Sequence, residues 1–149
     1  MLNTYQPPLI GCQRETGSSF ALNAVIEADL VTHITGKPEL ILTPSLSGKG
    51  QTIARCPKCH VAIWSNYTGG GPFLRFIRVG TLDQPDRLPP DIHIYTSSKQ
   101  PWVKIPPNVP LVDEFYELEK YWPTRSLERW HVIAPKVQAY KASQDPTCI

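Results

Sequence analysis

The sequence predicts a mainly β fold, and three observations carry that prediction. Apolar residues come in short runs rich in Val, Ile, Leu, Phe and Tyr, such as Phe73–Val79 and Asp91–Thr96; such runs suit pleated, half-buried strands. Prolines number sixteen in 149 residues, about twice the usual share. They stand between the apolar runs, where they punctuate turns. Helical spacing shows only after residue 112.

Taken in order, Phe20–Ile34 holds two β-like runs around the polar Glu27-Ala28-Asp29. Gly36-Lys37-Pro38 reads as a turn, and Leu40-Ile41-Leu42 as the next strand. Ser45–Gly50 is small and polar, hence a loop. Thr52–Arg55 and Val61–Trp64 are strands on either side of Cys56-Pro57-Lys58-Cys59. Phe73–Val79 is strand-like, although Arg75 and Arg78 fall three apart and break the alternation. Asp91–Thr96 alternates cleanly, which puts Asp91, His93 and Tyr95 on one face. Val112–Tyr121 carries Phe115, Leu118 and Glu119 at helical spacing and should end at Pro123. A further helical turn is expected at Ser126–Val132, and a frayed polar tail from Lys136.

The length fits one domain. The net charge of +2, with no basic stripe, argues against a nucleic-acid partner. Met1–Gly11 lacks the features of a secretory signal, and no apolar run is long enough to span a bilayer. The expectation is a reducing compartment, cytoplasmic or nuclear, where a C-x-x-C pair points to metal or redox chemistry rather than to a disulfide.

Cys56 and Cys59 are the strongest chemical feature. Two cysteines at the tip of a strand–turn–strand unit can be brought together by a turn whose amides point at the sulfurs, as a zinc knuckle requires. A structural zinc takes four ligands. The candidates to complete the set are His60, Cys12, His93 and a second chain. A thioredoxin-like role fits less well, because such pairs sit at a helix start.

Several separated motifs resemble those of the glutathione-dependent formaldehyde-activating enzyme and centromere-protein-V (GFA) family. They are Cys12-Gln13-Arg14-Glu15-Thr16-Gly17-Ser18-Ser19-Phe20, Cys56-Pro57-Lys58-Cys59, Gly80-Thr81-Leu82-Asp83 with Pro85, and His93-Ile94-Tyr95-Thr96 followed by Ser98-Lys99 and Pro101-Trp102. The resemblance implies a β-tent zinc fold of coiled antiparallel sheets with a short C-terminal helix. It implies one GFA-like domain over residues 1–149, its matched core at about 11–110 and a C-terminal extension at 111–149. It also implies Zn2+ as cofactor and a carbon–sulfur lyase acting on a glutathione–aldehyde adduct, a small thiol substrate.

Carried over residue by residue, Cys56 and Cys59 match half of the family's structural zinc site, and Cys12 matches the third active-site cysteine. The other two active-site positions fall on Pro7 and Leu9, and the earlier C-x-C has no counterpart. The resemblance therefore implies a member shortened at its N-terminus. The alternative is a catalytically degenerate zinc-binding or interaction module of the same fold.

The remaining residues carry plainer expectations. His60 is a turn residue at φ > 0 rather than a ligand. Cys12 is a remnant near the N-terminus, or else a thiolate favoured by Arg14. His93 is a satisfied, half-buried histidine. Trp102 packs to close the sheet. Arg75 and Arg78 are solvated or paired with Asp83 or Asp86. Cys148 is a free thiol.

Overall fold

The computed structural model describes residues 2–6, 10–45 and 48–144. Its centre is a seven-stranded sheet in the order β3-β4-β5-β6-β2-β1-β7. The strands are β1 (Asn3–Gln6), β2 (Asn23–Glu27), β3 (Glu39–Thr43), β4 (Gln51–Arg55), β5 (Ala62–Tyr67), β6 (Leu74–Arg78) and β7 (Ile92–His93). All neighbours pair antiparallel except β1 and β7, which run parallel. The helices are α1 (Ile10–Thr16), α2 (Leu118–Tyr121) and α3 (Thr124–Ser143). The fold is mainly β, as the sequence predicts.

Residues opposed across antiparallel strands share a face. The registers therefore put Gln51, Ile53, Ser65, Tyr67, Phe76, Arg78, Asn23 and Val25 on one face. At one end of this face Leu74 and Val25 join Ile133 and Val137 of α3, with Ile92, Ile94 and Trp122, in the main apolar core. The Glu27 carboxylate anchors α3 there through Arg129. At the other end the face turns polar and meets α1. The opposite face carries Trp64, 4% exposed, beneath the Arg75 guanidinium at 4.2 Å from the ring centroid and stacked on His33.

The structure corrects several expectations. Leu30–Ile34 is not a strand: β2 ends in a 3-10 turn at Ala28–Leu30, and Ile34 is 94% exposed. The alternating run Asp91–Thr96 keeps only Ile92–His93 as strand, because Tyr95 swings to φ 58°. Val112–Glu117 is not helical. Its backbone is already spoken for by hydrogen bonds to the strand beside it, from His93 N to Pro110 O (2.9 Å), from Val112 N to His93 O (2.9 Å) and from Tyr95 N to Glu114 O (3.0 Å).

Helix resumes at α2, which ends at Tyr121 short of Pro123 as expected, and Pro123 also caps the start of α3. α3 runs on through Pro135 and the polar residues after it. Tertiary packing of Ile133 and Val137 outweighs the hydrogen bond that an interior proline removes. Trp102 does not close the sheet; it is 70% exposed. Arg75 and Arg78 pair with neither Asp83 nor Asp86. Arg75 covers Trp64, and Arg78 is 7% exposed and bonded to Asn23. Among the described residues no helix is long and apolar enough to cross a membrane.

Candidate functional site

The β4–β5 hairpin carries Cys56 and Cys59 at its tip, as the sequence predicts. Cys56 N donates to Val61 O at 3.0 Å and His60 N donates to Cys56 O at 2.8 Å, which closes the turn. His60 takes φ 59°, a left-handed conformation that histidine adopts more readily than most side chains. Its imidazole is turned toward Glu39, with Nδ1 4.0 Å from Oε2. His60 is thus the turn residue of the knuckle.

The Cys56 thiol is held below its usual range. The backbone amide of Cys59 contributes most, then the amide of Lys58, then the Cys59 side chain. The turn aims N–H groups at one sulfur, and a thiolate there is the nucleophilic and metal-binding form. As a zinc site, however, the described residues fall short. Among them no group of three or more His, Cys, Asp or Glu side chains is placed to hold a metal ion. Cys56 and Cys59 supply two thiol ligands where a structural zinc takes four.

Cys12 lies elsewhere. It sits in α1, 6% exposed, its thiol in a hydrogen bond with Tyr67 and within the field of Arg78. Burial pushes this thiol up, and Arg78 only partly offsets it. Burial also pushes the Tyr67 hydroxyl up, to about 12. Both groups are therefore neutral proton carriers at pH 7. Cys12 is not a remnant on a loose terminus, and Arg14, which is exposed, is not the cation beside it. No disulfide engages Cys12, Cys56 or Cys59.

α1 ties the two cysteine regions together. Glu15, one turn after Cys12, forms an ion pair with Arg55 at the base of the knuckle. Arg55 Nη1 in turn donates to His60 O at 3.1 Å. On its other side, Gln13 Nε2 donates to Ser98 O at 3.1 Å and Gln13 Oε1 accepts from Gln100 Nε2 at 2.8 Å. These bonds bring the Ser98–Trp102 segment against α1. Between them lies an open groove of about 550 Å³, lined by Gln13, Ser18, Ser19, Gln100 and Trp102 among others. The exposure of Trp102 thus supplies a groove wall rather than a sheet cover.

A family model described as glutathione-dependent formaldehyde-activating enzyme matches residues 10–98. The chain belongs to this family. The matched stretch of the GFA domain contains α1, the knuckle and the Tyr95–Ser98 turn. No curated protein matched the chain in the comparison.

Set on this GFA domain, the sequence motifs sort themselves by place. Cys56 and Cys59 are together, whereas Cys12 is buried on the sheet face with Tyr67 and Arg78. His93 is more buried than a half-buried residue, at 2% exposure. Its Nε2 has no hydrogen-bond partner, and burial pushes its imidazole down. Pro7, Leu9 and Cys148 lie outside the described residues.

Sequence reasoning missed Tyr67 and Asn23 and misplaced Arg78. One clue was available for the last. Residues three apart on a strand point to opposite faces, so Arg75 and Arg78 could not both face water if one sheet face was buried.

Proposed function

We propose that this GFA-family protein makes or breaks the carbon–sulfur bond of a glutathione–aldehyde adduct, a carbon–sulfur lyase reaction carried out in the cytoplasm. The observation that carries the reading is Cys12: a thiol inside the family-matched stretch, buried on the sheet and held by Tyr67 beside Arg78. The groove between α1 and Trp102 has the size of a small-ligand pocket and takes the tripeptide body.

In the breaking direction the C–S bond gives its electron pair to sulfur, sulfur gains a proton, and the adduct hydroxyl loses one as the carbonyl forms. The reverse step adds the thiol to the aldehyde carbon. Cys12 and Tyr67, both neutral at pH 7, can pass those protons as a relay, the group that gives a proton to sulfur regaining one from the adduct hydroxyl. Zn2+, which the family implies, would be held through Cys56 and Cys59. Because the described residues do not complete that site, no step runs through it.

Two measurements test this. Exchange between formaldehyde, glutathione and their adduct, followed by NMR, is expected to be faster with the protein, and about 10²-fold or more of the acceleration should vanish in Cys12→Ala. Acceleration unchanged in that variant removes Cys12 from the site. No acceleration at all, with folded protein, ends the lyase reading. Zinc per chain is measured on the same preparations. Zinc that co-purifies should be lost in Cys56→Ser and kept in Cys12→Ala; the opposite pattern would move the metal to α1.

A second reading, an interaction module, is favoured by the edge strand β3, where Leu40 is 58% and Leu42 77% exposed. Apolar edge strands invite pairing with another chain. A protein that stays monomeric in light scattering at high concentration and captures no partner strand rules this reading out.

A further inference from the structure

Arg78 carries a buried charge that nothing among the described residues answers. Its Nη1 donates to the neutral Asn23 Oδ1 at 2.6 Å. Its Nε and Nη2 have no hydrogen-bond partner, and neither has the Nδ2 of Asn23, which is fully buried. Among the described residues the ion pairs involve Arg55, His60, Lys120 and Arg129, and none reaches Arg78. A guanidinium withdrawn from water without a counter-charge is strongly unfavourable. Buried donors left unmet in a native structure call for a specific explanation.

The same protein shows what that edge of a guanidinium binds. Arg129 uses its Nε and Nη2 together, as a fork, to grip both oxygens of the Glu27 carboxylate. Two parallel N–H groups match the two oxygens of a carboxylate. In Arg78 those very two nitrogens are the unmet ones. The Asn23 amide adds a third unmet donor on the neighbouring strand, directly opposite in the register.

Glu15, whose charge is felt at Cys12, offers no internal substitute, since it is engaged with Arg55. Cys12 and Tyr67 close the region with groups that are neutral at pH 7.

We infer that the Nε–Nη2 edge of Arg78, together with the Asn23 amide, is a binding site for a small carboxylate. The donors have no contact with solvent, so the ligand end that reaches them is slim. Two sources present this chemistry: a free small carboxylate, or a terminal carboxylate of a glutathione-class tripeptide. The site requires only the unanswered guanidinium. Should the tripeptide be the source, it deepens the lyase reading by naming what holds the substrate.

The test is binding of ¹³C-formate to the full chain, followed by NMR and by equilibrium dialysis, with no reaction required. One saturable formate per chain is expected. Arg78→Lys, which keeps the charge but loses the fork, should weaken it about tenfold or more, and Arg75→Lys, on the opposite sheet face over Trp64, should keep it. Folded wild-type protein that takes up no formate saturably, or equal binding by Arg78→Lys, overturns the inference.

If Arg78→Lys does not fold, the wild-type protein still decides. Formate should raise the melting temperature where chloride at the same concentration does not, and equal shifts overturn the site. Displacement of formate by glutathione assigns the tripeptide carboxylate as occupant. Displacement by acetate but not by glutathione assigns a free small carboxylate. Because formate binding is read without turnover, a failed lyase assay and a failed carboxylate site are separate results.

Discussion

Trp122→Ala is expected to destabilise the protein by about 3–5 kcal/mol, the usual range for removing a large aromatic from a core. The melting temperature should fall by roughly 10–15 °C for a domain of this size. Trp122 is 7% exposed and stands where α2 gives way to α3, in T-shaped contact with Trp130 at 6.2 Å. Its Nε1 donates to the Tyr116 hydroxyl at 2.8 Å, and the same oxygen accepts from Asn3 Nδ2 at 3.1 Å. The indole thus fills the core and also orders a buried polar bridge to β1. Truncation opens a cavity and removes one donor from that bridge. Trp122→Phe keeps most of the volume and should cost only about 1 kcal/mol more than its lost methylene-equivalent area, the net worth of one hydrogen bond. Denaturant unfolding measures both. A loss under about 1 kcal/mol for Trp122→Ala would mean that the corner does not depend on this ring.

Glu27→Ala should cost about 2–3 kcal/mol. The carboxylate accepts from Arg129 Nε at 2.6 Å and also from Nη2, and this pair fastens α3 to the end of β2. Breaking a fully buried pair costs about 3–5 kcal/mol. Here the side chains are 11% and 28% exposed, so water recovers part of the loss. Replacing both partners by apolar residues of similar size, Glu27→Leu with Arg129→Met, should restore much of it, because the desolvation of both charges is relieved together. A double-mutant cycle reads the coupling. Coupling near zero would show that the ion pair is an ornament of the α3 interface rather than its fastening.

How far the fold was legible follows from which forces act locally. The strands β3 to β6 and the knuckle were readable, because alternation, turn residues and the cysteine spacing are all local features. His60 is an example: its place after the cysteine pair demands a tight turn, and φ 59° meets it. α1 was not readable. Ile10–Thr16 has no strong periodic pattern, and its place depends on Glu15 finding Arg55 and on Gln13 finding Ser98, partners 40 and 85 residues away. Val112–Glu117 shows the converse: helical spacing is present, but backbone pairing with His93 and Tyr95 prevails. α3 outlasts Pro135 because its inner face is buried against the sheet.

The candidate site divides in the same way. Cys56 and Cys59 declare themselves by spacing, and the amides that steady the Cys56 sulfur belong to the same turn. Cys12 was visible as a residue but not as an environment. Whether a thiol is a loose remnant or a buried group beside Tyr67 and Arg78 depends on strands that pair across more than fifty residues of chain.

By itself, the sequence determined a mainly β protein of the GFA family, with a cysteine knuckle on a hairpin, since each of those properties is written in short-range pattern. Only the tertiary structure decided that Arg78 points inward with no counter-charge among the described residues, that Cys12 is buried on the sheet, and that Trp102 walls a groove. Burial and charge pairing are properties of surfaces that meet only when distant strands close into one sheet, and no local pattern encodes them.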